Sequence, residues 1–192
     1  ERSEGLGAVA GRRLPFAALN LISDPIHGYV ELTKRLAPAE ARAAARKARA
    51  AQRLLAEFSQ AQIDAIVDRM AAAADAEAEP LARLAVEETG YGVVADKVAK
   101  NLFAARDVHA FIRPMKTVGV IARHDDRKIV EIAEPFGVVA AIVPSTNPTS
   151  TTIYKLLISI KARCGVVLSP HPSAARCITR TATLMNDAAR EA

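Results

Sequence analysis

The chain has 192 residues and a formal net charge of +5, from 26 Lys and Arg against 21 Asp and Glu. Hydrophobic residues make up 51% of it, which excludes a disordered tail because burial of this apolar surface can offset the entropy lost on folding. Aromatic residues are only 4% and Trp is absent, so we expect neither a stacking surface for single-stranded nucleic acid nor a nucleic-acid partner.

Membrane and redox signals point to an ordinary cytoplasmic protein. No run of about 18 apolar residues is present, so no membrane span is predicted. The two cysteines, Cys164 and Cys177, are too few for a disulfide framework or a cysteine metal cluster. Because the sequence starts at Glu1 without Met and stops at Ala192 within a predicted helix, we expect it to be part of a longer protein.

Residues 1–37 are interpreted as a leader of uncertain origin. Their segment 24–32, DPIHGYVEL, resembles the opening of HD-domain phosphohydrolases, which need further His and Asp metal ligands on helices. The one His-Asp pair, His124 and Asp125, falls in a predicted turn instead. His27 is therefore interpreted as a turn residue, and no metal site is predicted.

The basic character of the chain is concentrated in residues 34–53, which carry seven Lys and Arg against one acid, Glu40. We predict a helix with its charges in solvent and its alanines packed inward. The alternatives are a helix that docks phosphate groups, such as those of coenzyme A, and a helix that targets the protein to an assembly.

The next helix is predicted from an apolar stripe with helical spacing. Ile63, Ile66, Val67 and Met70 lie at i, i+3, i+4 and i+7. Ser59 precedes the stripe as a candidate N-cap, and Gln62 occupies the capping-box position.

Two further helices are predicted before residue 114. The first opens at Pro80 and ends at Thr89-Gly90, where Gly suits a left-handed C-cap. The second spans 96–111 and ends before Pro114. Its apolar side is predicted to contain Val98, Leu102 and Ala105.

The pattern then becomes that of strands. Residues 117–122 and 128–133 favour a β-hairpin whose turn contains His124-Asp125-Asp126. Residues 137–144 form a continuous apolar run typical of a strand buried on both faces of a parallel sheet. A helix over 152–162, a buried strand over 164–168 and a last helix from about 173 complete a βαβ unit.

Two loops follow the two parallel strands, at 144–150 and 169–172. Ligands of open parallel sheets bind beyond the carboxyl ends of the strands, so these loops are the candidate site. The simpler alternative is that Ser, Thr, Asn and Pro serve there only as turn and cap residues. Neither a G-x-G-x-x-G nor a G-x-x-x-x-G-K-[ST] motif is present.

Several motifs together resemble one family. They are EPFGVVAAIVPSTNPTST at 134–151, YKLLISIK at 154–161, SPHP at 169–172, EETG at 87–90 and DKVAKN at 96–101. This combination resembles the CoA-acylating branch of the aldehyde dehydrogenase superfamily, and the resemblance covers residues 38–192. Non-acylating relatives carry a P-W-N-F-P-type loop and a K-P-S-E-type loop in the corresponding places.

The resemblance implies an α/β fold in which a helical N-terminal region and a β-hairpin lead into an incomplete Rossmann-like parallel sheet. Residues 38–114 would be the helical part of the NAD-binding domain, and 115–134 the β-hairpin that forms an oligomerisation arm. Residues 135–192 would be the first βαβ part of the Rossmann-like domain, truncated and with an exposed sheet edge.

The resemblance also implies NAD as cofactor, coenzyme A as co-substrate and a small aldehyde as substrate. Asn147 is the candidate oxyanion donor, although alignment with the P-W-N-F-P loop gives that position to Thr146. The nucleophilic cysteine is expected beyond residue 192. Cys164, in a predicted buried strand, is interpreted as a small buried hydrophobic residue, and Cys177, on the last helix, as a structural or surface residue. The residues implied to bind the cofactor are Pro144, Ser145 and Thr146 near the nicotinamide and Ser169, His171 and Pro172 near the adenosine.

The resulting prediction is NAD-dependent, CoA-acylating oxidation of a short aldehyde, acetaldehyde first, by a cytoplasmic homo-oligomer. Sulfoacetaldehyde and propionaldehyde are the neighbouring substrates. The alternatives are a truncated, non-catalytic nucleotide-binding or assembly module and, with least support, an HD-type phosphohydrolase.

Overall fold

The structure is a computed structural model that describes residues 38–192, with side chains from residue 41. The leader, its HD-like segment and the first part of the basic segment lie outside the described residues. The helices are α1 Pro38–Leu55, α2 Gln60–Ala76, α3 Ala78–Thr89, α4 Val94–Leu102, α5 His109–Ile112, α6 Pro148–Lys161 and α7 Ala175–Arg190. The strands are β1 Gly119–His124, β2 Ile129–Ala133, β3 Val138–Val143 and β4 Gly165–Pro170. The mixed α/β fold class is confirmed, whereas the division into domains stays a prediction.

Helix α1 carries the described part of the basic segment. Its alanines Ala48 and Ala51 and its last residue Leu55 are buried, whereas Arg46 and Lys47 are exposed. The prediction of a helix with solvated charges is thus confirmed from residue 41 onward. The prediction of inward alanines is confirmed only in part, because the exposed alanines include Ala41, Ala45 and Ala50. Within the described residues, no helix is both long and apolar enough to cross a bilayer.

The predicted start of α2 and end of α3 are confirmed in detail. Ser59 Oγ accepts from the backbone N–H of Gln62 at 3.3 Å, and Gln62 Oε1 accepts from the backbone N–H of Ser59 at 3.0 Å. Gly90 follows α3 with φ of 68° and donates its N–H to Val86 O at 2.8 Å. Helix α3 begins at Ala78 rather than at Pro80, which lies in its first turn.

The third predicted helix, over residues 96–111, is confirmed as helical, but its buried residues include two polar ones that were not predicted. Helix α4 continues through a π-helical turn, Phe103–Val108, into α5. Val98 and Leu102 are half-buried, while the polar Lys97 and Asn101 are 4% and 0% exposed. The predicted apolar side is therefore only partly buried, and prediction from hydropathy missed these two buried polar residues. Hydropathy treats such residues as exposed, whereas here both side chains donate to backbone carbonyl groups.

The β-hairpin is confirmed, with its strands shifted along the chain. β1 and β2 pair antiparallel, joined by a turn over residues 125–128. His124 ends β1 and contacts Glu131 Oε1 at 2.8 Å. Arg163 connects the hairpin to α1, because its guanidinium donates to Ala133 O at 2.8 Å and to Ala56 O at 2.7 Å.

The βαβ unit is confirmed as well, because β3 and β4 pair in parallel with α6 between them. β4 begins at Gly165, one residue after Cys164, and continues through Pro170. α6 begins at Pro148, four residues earlier than predicted. A Cβ built on Gly165 would lie 2.8 Å from Ala48 O, so α1 crosses the start of β4 in close contact.

The prediction that β3 is buried on both faces was wrong for the described residues. Ala141 and Val143 face the core beneath α6 and α7, but Ala140 is exposed and Ile142 is 72% exposed. The reason is that these helices cover only one face of the two-stranded sheet. A small apolar cluster lies below the end of β3 and is formed by Ala85, Val143, Ala174, Cys177 and Ile178.

An ion-pair network joins α2 to the end of the helical layer. Asp68 accepts from His109 Nε2 at 2.8 Å and from the guanidinium of Arg113 at 3.1 Å. Burial by itself would raise the pKa of Asp68, but the hydrogen bonds from Arg113 and His109 outweigh burial and lower the pKa below its ordinary value of 3.8.

We expect Asp68→Asn to lower the free energy of unfolding by about 0.5–1 kcal/mol near neutral pH, because the network is partly solvent-exposed. The folded state holds the Asp68 pKa below that of the unfolded chain, so the stabilisation is present above 3.8 and lost as the pH falls through the lower folded value. Urea unfolding at a series of pH values checks this. A constant difference between wild type and variant down to the most acidic pH would contradict it.

Candidate functional site

The two predicted loops lie side by side at the carboxyl ends of β3 and β4. The register pairs Val143 with Pro170, and the N–H of His171 donates to Val143 O at 2.9 Å. Ser169 still belongs to β4, opposite Ile142. The structure therefore brings the predicted site residues to one edge of the sheet: Pro144, Ser145, Thr146, Asn147, Ser169, His171 and Pro172.

Asn147 occupies the N-cap position of α6 but its side chain makes no cap hydrogen bond. Instead its Oδ1 accepts from Lys100 Nζ at 3.0 Å. Since an N-cap Asn ordinarily stabilises its helix by accepting from a first-turn N–H, this side chain is held in place for a reason other than capping. Of the two roles in the simpler alternative, turn residue and cap residue, the side chain of Asn147 does not fill the second.

The same loop is held from below by a buried lysine. Lys97 is 4% exposed and its Nζ donates to Thr146 O at 2.9 Å. Burial, reinforced by the neighbouring charge of Lys100, lowers the pKa of Lys97 from its ordinary value. Perturbed buried lysines are concentrated at functional sites, so the position of Lys97 beside this loop supports a functional site here.

Asn101 completes the support of the loop from α4. It is 0% exposed, its Nδ2 donates to Ala78 O at 2.9 Å, and its Oδ1 accepts from Thr149 Oγ1 at 2.7 Å. Thr149 lies in the first turn of α6, two residues after Asn147. Three side chains of α4 therefore reach the start of α6: Lys97, Lys100 and Asn101.

His171 does have a local structural role, as the simpler alternative expects. Its Nδ1 accepts from the backbone N–H of Ser173 at 3.3 Å and lies 2.9 Å from Ser173 Oγ. Because Nδ1 accepts, the neutral ring carries its proton on Nε2. The ring is exposed, so this N–H is available to an acceptor outside the loop.

The first turn of α7 is hydrogen-bonded to a carboxylate from α3. Glu88, from the EETG motif, accepts the N–H of Arg176 on Oε1 and the N–H of Cys177 on Oε2, both at 2.7 Å. A carboxylate in this place satisfies two unpaired donors and complements the helix dipole. Glu88 thus fixes the start of α7 beside the site.

Both cysteines are buried, as predicted for Cys164, and of the two roles predicted for Cys177 its burial favours the structural one. Cys164 is 2% exposed and Cys177 is 0% exposed, and Cys177 Sγ donates to Ala174 O at 3.3 Å. Burial, together with the hydrogen bond and negative charge of Glu88, raises the pKa of the Cys177 thiol to about 12. Cys177 is therefore protonated at neutral pH and unsuited to nucleophilic attack.

We expect neither thiol of residues 1–192 to react with an aromatic disulfide reagent under native conditions, because burial removes Cys164 and Cys177 from solvent. Colour release in buffer, compared with release in concentrated guanidinium chloride, checks this. Two thiols should react only after unfolding, and rapid native labelling of either cysteine would contradict the expectation.

Sequence reasoning missed four residues at this site: Glu88, Lys97, Lys100 and Asn101. All four lie in the EETG and DKVAKN motifs, where only the resemblance pointed to them. The available signal was the spacing of Lys97, Lys100 and Asn101, which places three polar side chains near one face of a helix. Among the described residues, no group of three His, Cys, Asp or Glu side chains could hold a metal ion.

Residues 23–191 match the sequence pattern of the Aldehyde dehydrogenase family. The chain belongs to the aldehyde dehydrogenase family. The match begins at residue 23, within the segment interpreted above as a leader.

Individual relatives agree with this family. The bifunctional aldehyde-alcohol dehydrogenase of Escherichia coli is 45% identical over 152 residues, which is 79% of this chain and 17% of that protein. The sulfoacetaldehyde dehydrogenase (acylating) of Cupriavidus necator is 47% identical over 135 residues, which is 66% of this chain and 26% of that protein. The resemblance to the acylating branch of the family is confirmed, and this aldehyde dehydrogenase chain spans only a fraction of its relatives' length.

Solved structures lead to the same family. The acetylating aldehyde dehydrogenase of Geobacillus thermoglucosidasius is 53% identical with a TM-score of 0.78, over 80% of this chain and 34% of that one. Among more distant neighbours, an engineered glycolyl-CoA reductase was solved with NADP+, and the propionaldehyde dehydrogenase of Rhodopseudomonas palustris with CoA and an acylated cysteine.

Proposed function

We propose that this chain supplies the NAD-binding part of a CoA-acylating aldehyde dehydrogenase that oxidises a short aldehyde, acetaldehyde first, to acyl-CoA. The observation that carries the proposal is Asn147, an N-cap residue whose side chain leaves its helix uncapped and is held by Lys100 at the edge where both loops meet. An amide N–H₂ in such a place can stabilise the negative oxygen that forms when a thiolate adds to an aldehyde.

The residues present fit a nicotinamide dinucleotide at this edge. Hydroxyl groups of Ser145 and Thr146 and the Nε2–H of His171 are the polar groups, and Pro144 and Pro172 add exposed apolar surface. The first turn of α6 receives no side-chain cap, so its backbone donors are not taken by Asn147. When bound, the cofactor would accept hydride from the substrate carbon.

In the proposed reaction this chain supplies the oxyanion donor, and sequence expected beyond residue 192 supplies the nucleophilic thiolate. Because Cys164 and Cys177 are buried, the thiolate is proposed to come from outside these residues. It forms a carbon–sulfur bond to the aldehyde, Asn147 holds the resulting oxyanion, and loss of hydride leaves an enzyme thioester. The thiolate of coenzyme A then forms a carbon–sulfur bond to the thioester carbonyl, the enzyme sulfur leaves as thiolate, and acyl-CoA is the product.

We propose in addition that the hairpin β1–β2 forms contacts between copies of the protein in the cytoplasm. Val120, Ile129 and Ile132 on its strands are 42%, 47% and 58% exposed, which is unusual for large apolar side chains on an isolated ribbon. Replacing Ile132 by Lys should shift the protein toward smaller species in light scattering after gel filtration. An unchanged mass would contradict this assembly surface.

The decisive experiment is an assay of the protein encoded by the complete gene. With acetaldehyde and NAD, NADH should form only when coenzyme A is also present, and mass spectrometry should identify acetyl-CoA. Measuring kcat/KM for acetaldehyde, propionaldehyde and sulfoacetaldehyde then ranks the three substrates. NADH formation at the same rate without coenzyme A, or no NADH with any of the three aldehydes, would overturn the proposal.

A further inference from the structure

Helix α4 directs two ammonium groups at the loop that begins α6. Lys97 and Lys100 lie three residues apart, and therefore near the same face of the helix. Lys97 is buried and binds the backbone, through Thr146 O at 2.9 Å, whereas the exposed Lys100 binds a side chain, through Asn147 Oδ1 at 3.0 Å. Lys97 therefore binds the main chain of the loop, whereas Lys100 binds the side-chain amide of Asn147.

We propose that Lys100 is a positioning residue that sets the orientation of the Asn147 amide, an inference that rests on the oxyanion role proposed above. An ammonium group carries three donors and no acceptor. Only the oxygen of an amide can therefore face it, and the N–H₂ of Asn147 must point the other way. Lys100 in this way converts a side chain that could accept or donate into one that presents donors to the site.

The need for such a residue follows from the position of Asn147. An Asn that precedes the first turn of a helix is drawn to turn its oxygen onto the N–H of the second or third residue. In α6 that arrangement would turn the oxygen of Asn147 toward the first-turn N–H groups instead of toward Lys100. The bond from Lys100 competes with capping for the same oxygen, and in the structure capping is absent.

Lys100 has no other described partner, and its side chain is exposed. Its replacement therefore removes little packing, so a loss of activity can be separated from a loss of structure. Without Lys100, we expect Asn147 to rotate and cap α6. The variant should then be as stable as wild type, or slightly more stable, and yet less active, a combination that a purely structural role would not produce.

The kinetic test compares Lys100→Met and Lys100→Arg in the protein encoded by the complete gene, with the exposed Lys116→Met as matched control. Loss of a whole oxyanion donor costs about 100- to 1,000-fold in kcat, so loss of its orientation should cost about 10-fold. KM for the aldehyde and the Kd of NAD should stay within about 2-fold, and Lys100→Arg should recover most of kcat because guanidinium also only donates. If Asn147→Ala lowers kcat, an unchanged kcat in Lys100→Met, or a parallel rise in the Kd of NAD, would overturn the proposal.

A double variant tests whether Lys100 acts through Asn147. If it does, Lys100→Met combined with Asn147→Ala should be no slower than Asn147→Ala alone. Additive losses in kcat would mean that Lys100 acts independently of the amide and would overturn the proposal.

A structural readout separates this inference from the proposed function. A crystal structure of Lys100→Met should show Asn147 Oδ1 turned toward the first-turn N–H groups of α6, at a hydrogen-bond distance of about 3 Å. An amide that stays in the wild-type orientation would overturn the positioning role, whatever the kinetics. If the amide does turn but Asn147→Ala retains full kcat, the orientation by Lys100 is correct and the oxyanion role of Asn147 is the part that fails.

Discussion

Asn147→Ala in the protein encoded by the complete gene should lower kcat by about 100- to 1,000-fold, because one donor to the developing oxyanion is removed. KM for the aldehyde should change little, since the donor is needed when negative charge develops and less so before. The side chain makes no cap hydrogen bond to α6, so its truncation should leave the melting temperature nearly unchanged. Steady-state kinetics with acetaldehyde, NAD and coenzyme A, together with a thermal melt, check these expectations.

Thr146→Val is the matched variant for this prediction. Thr146 is exposed, and its contact with Lys97 is through the backbone oxygen, which the substitution retains. We expect a much smaller loss of kcat than for Asn147→Ala. The opposite ranking would transfer the oxyanion role to Thr146, the position that alignment with the P-W-N-F-P loop favours, and would contradict the assignment to Asn147.

Asn101→Leu should lower the apparent free energy of unfolding by about 2–3 kcal/mol, because it leaves the buried hydroxyl of Thr149 without its acceptor and removes a second donor from Ala78 O. The residue is 0% exposed, so water cannot easily replace the lost bonds to Ala78 O and Thr149 Oγ1. Urea unfolding checks the size of the effect. Asn186→Leu, a partly exposed asparagine on α7, is the control and should cost less than about 0.5 kcal/mol.

The same substitution should also reduce activity, since Asn101 holds the first turn of α6 through Thr149. Thr149→Val, which keeps the shape of the side chain but removes the hydroxyl, should reproduce part of the kinetic loss with a smaller loss of stability. Full stability and full kcat in Asn101→Leu would show that α4 does not support the loop.

Local signals explain what the sequence could predict. The capping box of Ser59 and Gln62 involves residues three apart, and the C-cap at Gly90 depends on one left-handed residue. The hydroxyl-rich loops were predicted as a site because parallel strands place their carboxyl ends together. Each of these inferences needs only neighbouring residues or one topological rule.

The support of the site depends on contacts that no local pattern records. Lys97 reaches Thr146 across 49 positions of sequence, and Asn101 reaches Ala78 and Thr149 across 23 and 48. On hydropathy alone, a lysine and an asparagine are assigned to the exposed side of a helix. Their burial follows from tertiary partners, which is why the predicted apolar side of that helix was displaced.

Glu88 determines which backbone N–H groups at the start of α7 are free for a negatively charged ligand. Dinucleotide-binding folds with a glycine fingerprint commonly bind the pyrophosphate at the N-terminus of a helix that follows a parallel strand. At α7 the chain's own carboxylate already accepts the N–H groups of Arg176 and Cys177, so a phosphate there would meet both occupied donors and a repelling charge. The carboxylate of Glu88 therefore closes the start of α7 to a phosphate, whereas the side chain of Asn147 leaves the first-turn donors of α6 open.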